Sequence, residues 1–73
     1  MAKFAYNDFV RAIASAPKKL RPGERSWVVG VFEHEQRIGP YWSNFPYGVV
    51  YSVEFEDGSA VEIHESLLES ADQ

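Results

Sequence analysis

Apolar and polar side chains alternate along two neighbouring segments in the second half of the chain, residues 49–56 and 59–64. A period of two residues is typical of a β-strand that buries one face and turns the other toward water. A short turn sequence, Asp57-Gly58, separates the two segments. The pattern therefore predicts a β-hairpin.

The apolar faces of the two strands indicate the register of this hairpin. A two-residue loop would turn the apolar side chains of the second strand toward the acidic face of the first. A three-residue loop, with Gly58 in the left-handed conformation, places Val53 opposite Val61 and joins the two apolar faces. We therefore predict the three-residue loop, which leaves Glu54 and Glu62 on the outer face of the hairpin.

The segment upstream of the hairpin, residues 26–34, is apolar at nearly every position, as in a strand that is covered on both sides. Gly30 in its middle predicts a bulge. Pro22-Gly23 predicts a type II turn before this strand. The two prolines and two glycines within residues 36–48 predict a long loop after it.

The opening segment, residues 8–16, is compatible with two structures. Asn7 could cap a helix, or the β-branched and aromatic residues could form a first strand. We favour the strand, because a sheet of only three strands would leave its edges exposed. The prediction is a mainly all-β single domain over 1–73, a small barrel of about five strands, with an α+β fold as the alternative. A short helical turn over 65–69 should lay one leucine on the barrel end.

Length and composition limit the kind of protein. Seventy-three residues leave room for one core. No apolar run approaches the roughly 20 residues that span a bilayer, and we expect no secretory signal. The absence of cysteine excludes disulfides and thiolate metal ligands. We therefore expect a cytoplasmic globular protein.

Charge is segregated along the chain. Residues 1–25 hold six basic and two acidic residues, a net charge of +4, whereas residues 26–73 hold one basic and nine acidic residues, a net charge of −8. An acidic body disfavours nucleic acid and anionic membranes and favours a basic partner. The basic cluster at 18–25 comprises Lys18, Lys19, Arg21 and Arg25.

No pattern of catalytic residues stands out. The serines are scattered without a Gly-x-Ser-x-Gly elbow, and the isolated glycines form no phosphate-binding loop. His34 and His64 stand among glutamates, where we expect ordinary exposed side chains rather than metal ligands. The sequence therefore predicts no enzyme activity, no cofactor and no metal site.

Aromatic residues are concentrated in the long loop, since four of the eleven fall within residues 39–48. Loops on a rigid scaffold often carry function, and tyrosine and tryptophan dominate binding hot spots. The same rings could instead close one end of the core, and both interpretations remain open. We predict Phe45 and Trp27 as core residues, and we predict contact roles for Tyr41, Trp42 and Tyr47.

Several segments together resemble small bacterial Src-homology-3-like barrels. The similarity is carried by Trp27-Val28-Val29-Gly30-Val31, by Tyr51-Ser52-Val53-Glu54-Phe55-Glu56-Asp57-Gly58 and by Val61-Glu62-Ile63-His64-Glu65-Ser66-Leu67-Leu68-Glu69. Within that class the chain is most similar to immunity proteins of polymorphic toxin systems and to their uncharacterised relatives. The resemblance implies a non-enzymatic protein that neutralises a toxin by binding it.

These observations predict a protein-binding module, with a basic toxin as the partner that the resemblance implies. The predicted contact residues are Tyr41, Trp42, Tyr47, Glu54, Glu56 and Glu62. The alternative is a nucleic-acid-associated barrel that uses the basic loop 18–25, which the net charge disfavours. The oligomeric state stays open, with Val28 and Val50 as candidate contacts for self-association if they are exposed.

Overall fold

The computed structural model describes residues 1–71, which form a mainly all-β domain. Its strands are β1 (Phe9–Ala12), β2 (Ser26–Phe32), β3 (Val50–Phe55), β4 (Ala60–His64) and β5 (Leu68–Ser70). They make one antiparallel sheet in the order β4-β3-β2-β1-β5. Short 3₁₀ turns lie at Lys18–Leu20, His34–Gln36, Pro40–Asn44 and Glu65–Leu67. No helix within residues 1–71 is long and apolar enough to cross a membrane.

The hairpin of β3 and β4 has the predicted register. Val53 lies opposite Val61, and Glu54 lies opposite Ala60 on the outer face. Gly58 has a φ of +88°, and its N–H donates a hydrogen bond of 2.9 Å to the carbonyl of Phe55. The three-residue loop is therefore confirmed, because only this register joins the apolar faces of the two strands.

Strand β2 carries the predicted bulge, since its pairing with β3 shifts between Val28 and Gly30. A Cβ atom at Gly30 would lie 3.2 Å from the Cβ atom of Ser52, so a larger residue there would require the neighbouring atoms to shift by a few tenths of an ångström. The expectation that both faces of β2 are covered was wrong. Only Ser26 and Val28 are buried, because so short a chain has no second layer to cover the outer face of the whole strand.

The opening segment forms the favoured strand, and the helical alternative is wrong. Alternate residues of β1 are buried, with Val10 and Ala12 facing the core and Phe9 and Arg11 facing outward. Strand β1 pairs with β2 on one side and with β5 on the other. The strand conformation therefore gives its backbone hydrogen-bond partners on both edges.

The C-terminal part of the described chain follows the prediction for its leucines. The 3₁₀ turn Glu65–Leu67 leads directly into β5, and Leu68 is buried with 3% of its surface exposed. Leu67 remains half-buried. One leucine thus closes the core, as predicted, while the other stays partly accessible to solvent.

The core lies on the inner face of the sheet. It comprises Val10, Ala12, Ala16, Val28, Val49, Tyr51, Val53, Phe55, Ile63 and Leu68. Trp27 and Phe45 are only half-buried, so their prediction as core residues was wrong. Trp27 lies opposite Glu54 on the outer face, and Phe45 belongs to the loop that lies over that face. Val28 and Val50 are fully buried, which leaves neither of them available for self-association.

The hydroxyl of Tyr51 joins the first residues of the chain to the sheet. It accepts hydrogen bonds from the backbone N–H groups of Lys3 at 2.8 Å and Phe4 at 3.1 Å, and it donates one of 2.6 Å to Glu65. Burial, together with the hydrogen bond to Glu65, raises the pKa of Tyr51 to about 12. The neutral hydroxyl is therefore an integral part of the folded state.

The turn of the hairpin contains a carboxylate that is stabilised in its charged form. Asp57 accepts hydrogen bonds from the hydroxyl of Ser59 at 2.7 Å and from its N–H at 3.0 Å, and the Arg21 guanidinium lies 3.2 Å away. These hydrogen bonds from Ser59 and Arg21 lower the pKa of Asp57 to about 2.

Replacing Asp57 by asparagine should therefore destabilise the fold at neutral pH, and the effect should disappear in acid. A depressed pKa contributes stability above the ordinary value of 3.8, and this contribution is lost as the pH falls toward 2. Urea unfolding of both proteins as a function of pH measures the difference. A difference that stays constant between neutral pH and pH 2 would contradict this origin, and Glu56→Gln, in the same turn, is the control.

Candidate partner-binding groove

A groove of about 700 Å³ opens between three segments of the chain. One wall comes from the connection between β1 and β2, the second from the loop 33–49, and the third from β4 with the turn that follows it. Apolar side chains of Leu20, Phe45 and Leu67 line it, and its polar lining residues are Lys19, Tyr41, Asn44, Glu62, His64 and Ser66. A concave surface that combines apolar side chains with several polar groups is a candidate binding site.

Tyr41 and Glu62, both predicted as contact residues, meet at the rim of this groove. The Tyr41 hydroxyl donates a hydrogen bond to the Glu62 carboxylate. This hydrogen bond raises the pKa of Tyr41 above its ordinary value. Tyr41 is 57% exposed, so much of the residue remains accessible to solvent. The pair presents an aromatic face beside a negative charge.

Trp42 packs against the aromatic side chains of Tyr41 and Phe45 in this groove. Its ring lies 5.1 Å from that of Phe32 and 5.1 Å from that of Tyr41, and 5.8 Å from that of Phe45. Trp42 is half-buried, because its ring packs against that of Phe32 on β2. Much of the ring is therefore used in packing the loop, while Tyr41 and Phe45 offer their surfaces to the groove.

Arg37 organises the loop that carries these aromatic residues. Its guanidinium donates hydrogen bonds to four backbone carbonyls, at 2.6–3.1 Å, which belong to Trp42, Phe45, Pro46 and Gly48. A planar guanidinium with several fixed donors suits this task, since a loop without strands leaves its carbonyls without regular partners. Sequence reasoning missed Arg37, although it is the only basic residue after position 25.

Both histidines form hydrogen bonds with the backbone at the end of the same loop. The N–H of Gly48 donates to Nδ1 of His34 at 3.2 Å, and the His34 ring stacks on Tyr47 at 3.7 Å. In His64, Nδ1 accepts the N–H of Ser66, so Nε2 carries the proton that it donates to the Tyr47 carbonyl at 2.8 Å. No group of three or more metal-binding side chains occurs among residues 1–71.

The other predicted contact residues lie away from the groove. Tyr47 stacks on His34, and Glu54 faces outward opposite Trp27. Glu56 is exposed in the hairpin turn. Glu54 and Glu62 share the outer face as predicted, because Ala60 lies opposite Glu54 and Glu62 is two residues further along the same strand. Tyr41 and Glu62 alone among the predicted contact residues line the groove.

The basic cluster at 18–25 is divided by the fold. The Arg21 side chain forms ion pairs with Glu24 and Asp57, and its guanidinium lies 4.1 Å from the centre of the Phe55 ring. The Arg25 guanidinium lies over the ring of Phe9. Lys19 lines the groove, as does Glu62. The cluster therefore does not form one continuous basic stripe.

Comparison of the chain with models of protein families, with curated proteins and with solved structures finds no significant match. What this surface binds must therefore be inferred from its geometry and charge.

Proposed function

We propose that the chain is a non-enzymatic protein-binding module. Its groove takes an extended segment of a partner protein in which an apolar side chain is adjacent to a lysine or arginine. The observation that carries this proposal is the hydrogen-bonded pair of Tyr41 and Glu62 in a groove that also presents the apolar side chains of Leu20, Phe45 and Leu67. This pair offers an aromatic surface and a negative charge to one cationic side chain.

The apolar side chains that line the groove contribute the second part of the proposed recognition. Leu20, Phe45 and Leu67 are each half-buried, so all three keep apolar surface in contact with water. Covering that surface is worth about 25 cal/mol per Å². Lys19, which also lines the groove, repels the cation that Glu62 attracts. The cation therefore lies beside Glu62 on β4.

The fold supports a more specific class for this module. We infer a small Src-homology-3-like barrel, since four strands in sequence are followed by a short turn and by a fifth strand that returns to pair with the first. The acidic body of the chain favours a basic partner. A toxin with a basic surface, the partner implied by the resemblance to immunity proteins, fits this description.

A library of displayed random dodecapeptides tests the proposal. We expect selection on the wild-type protein to enrich peptides that carry lysine or arginine beside an apolar residue. Replacing Glu62 by glutamine should weaken their binding by about tenfold, because a charge-assisted contact at the rim is lost. The matched control Glu35→Gln removes one negative charge at an exposed position outside the groove, and it should leave affinity unchanged.

Two results would overturn the proposal. In the first, no peptide is enriched above background, or the enriched peptides bind Glu62→Gln as tightly as the wild-type protein. In the second, a single-stranded oligonucleotide binds and loses affinity when Lys18 or Lys19 is replaced by alanine, which is the behaviour of the rival nucleic-acid class.

A further inference from the structure

Strand β4 forms one edge of the sheet. Within residues 1–71 it pairs with β3 alone, because β4 is the first strand in the order β4-β3-β2-β1-β5. An edge strand presents a row of backbone N–H and C=O groups that can pair with a strand from another chain. The free edge of β4 therefore offers the pairing groups that an added strand needs.

The backbone hydrogen bonds of the hairpin show which residues of β4 face this free edge. The carbonyl of Ser59 accepts a hydrogen bond of 2.9 Å from the end of β3, and the N–H of Glu65 donates one of 2.9 Å to the residue before β3. In an antiparallel pair, residues that exchange hydrogen bonds alternate with residues that do not. The odd-numbered residues of β4 therefore direct their backbone groups toward β3, whereas Ala60 and Glu62 direct theirs toward the free edge.

The binding groove follows the same edge. Glu62 and His64 line the groove from β4. A further concavity of about 380 Å³ shares Tyr41, Phe45 and Glu62 with the groove and reaches Ala60. The two concavities together accompany β4 from Ala60 to His64, which is roughly 14 Å at the usual rise per residue of a strand. This length fits an extended segment of about five residues.

We propose that the groove binds its partner segment by β-strand addition, with the segment paired to the free edge of β4. This mode of binding rests on the proposed function and specifies how the same groove holds its ligand. The backbone groups of Ala60 and Glu62 form hydrogen bonds with the backbone of the segment. In strand addition, such main-chain hydrogen bonds supply affinity and the alternate side chains supply specificity.

Strand geometry accounts for a cation and an apolar residue that are neighbours in the partner sequence. Successive side chains of a strand point to opposite faces of the sheet. One side chain of the added strand therefore lies on the outer face, beside Tyr41 and Glu62. The next lies toward Leu20 and Leu67, which pack against the core on the inner face. A lysine or arginine beside an apolar residue satisfies both faces at once.

The charge of the edge favours a cationic segment over a strand of a second copy. Antiparallel pairing of two β4 strands would place two copies of Glu62 on the same face of the joined sheet, and like charges on neighbouring strands repel each other. A segment with lysine or arginine in that place has the opposite charge. The occupant of the edge is therefore a basic partner segment.

Hydrogen exchange of the β4 amides, measured by NMR with and without the tightest-binding selected dodecapeptide, tests the pairing. In the free protein the amides of Val61 and Ile63 should exchange slowly, because β3 protects them, and those of Ala60 and Glu62 should exchange fast. A saturating concentration of peptide should slow exchange at Glu62 about tenfold or more. The amide of Glu35, at an exposed position outside the groove, is the control and should not change.

Methylation of single backbone nitrogens in the same peptide is the second test. Each methyl group removes one N–H donor and leaves the side chains as they are. Alternate N–H groups of an added strand face β4, so affinity should fall about tenfold at every second position near the lysine or arginine. The positions between them are the matched control, because they carry the same methyl group and should change affinity much less.

Unchanged exchange at Glu62 in the bound state, or methylation effects that do not alternate, would overturn strand addition. Slow exchange at Glu62 in the free protein that becomes fast on dilution would assign the edge to a second copy and would also overturn it. The proposed function survives each of these results if Glu62→Gln still weakens peptide binding. The absence of any selected peptide would overturn both.

Discussion

Replacing Arg37 by methionine should lower the free energy of unfolding by about 3 kcal/mol. The substitution keeps the apolar stem but removes the donors for four loop carbonyls and leaves them without that partner. Each hydrogen bond from a charged donor contributes about 1.5–3 kcal/mol, and the loss is partial because water can reach some of the loop. Urea denaturation measures the change. Arg11→Met, which breaks an exposed ion pair with Glu69, should cost less than about 1 kcal/mol.

The variant Arg37→Lys distinguishes the effect of the positive charge from the effect of the planar geometry of the guanidinium. A lysine keeps the positive charge, but its single ammonium group cannot bridge four carbonyls that surround a planar fork. Arg37→Lys should therefore recover less than half of the lost stability, and the near-ultraviolet circular dichroism of the aromatic loop should stay reduced. Wild-type stability in Arg37→Lys would show that net charge alone holds the loop.

Replacing Tyr51 by phenylalanine should lower the free energy of unfolding by about 2–3 kcal/mol. The variant leaves the N–H group of Phe4 without its acceptor, removes one of the two acceptors of the Lys3 N–H, and removes the hydroxyl donor to Glu65. Unsatisfied buried groups cost about 1–3 kcal/mol. Tyr6→Phe is the control, since Tyr6 is 65% exposed.

Because of the Tyr51 hydroxyl, the free energy of unfolding should also decrease at alkaline pH. The folded-state pKa of Tyr51 is about 12, above its ordinary value of 10, so the stability it contributes is complete below pH 10 and is lost as the pH rises toward 12. The stability difference between the wild-type protein and Tyr51→Phe should therefore shrink over that interval. A difference that stays constant up to pH 12 would contradict the assigned role.

The regular part of the fold could be predicted from the sequence, because local patterns determine it. The alternation around Val53 and Val61, with Gly58 between them, allows only one register that buries both apolar faces. Strand β1 required a non-local argument about sheet edges, since its local propensity also suits a helix. That argument led to the observed strand because β5 and β2 supply its partners.

The candidate site could be predicted only in part, because long-range contacts determine it. Composition drew attention to the aromatic loop and to the acidic strands, and two of the residues predicted from them, Tyr41 and Glu62, line the groove. It could not show that Trp42 folds onto Phe32, or that Arg37 binds the carbonyls of residues up to 11 positions away. Side chains that satisfy an irregular loop have no periodic signal in the sequence.

Amide chemical-shift mapping with the tightest-binding selected peptide tests the central claim, recognition by the groove, most directly. We predict saturable shifts that cluster at Leu20, Tyr41, Phe45, Glu62 and Leu67, and that are strongly reduced in Glu62→Gln. Shifts that cluster instead on the outer face around Phe9 and Trp27, or along the basic loop 18–25, would contradict recognition by the groove.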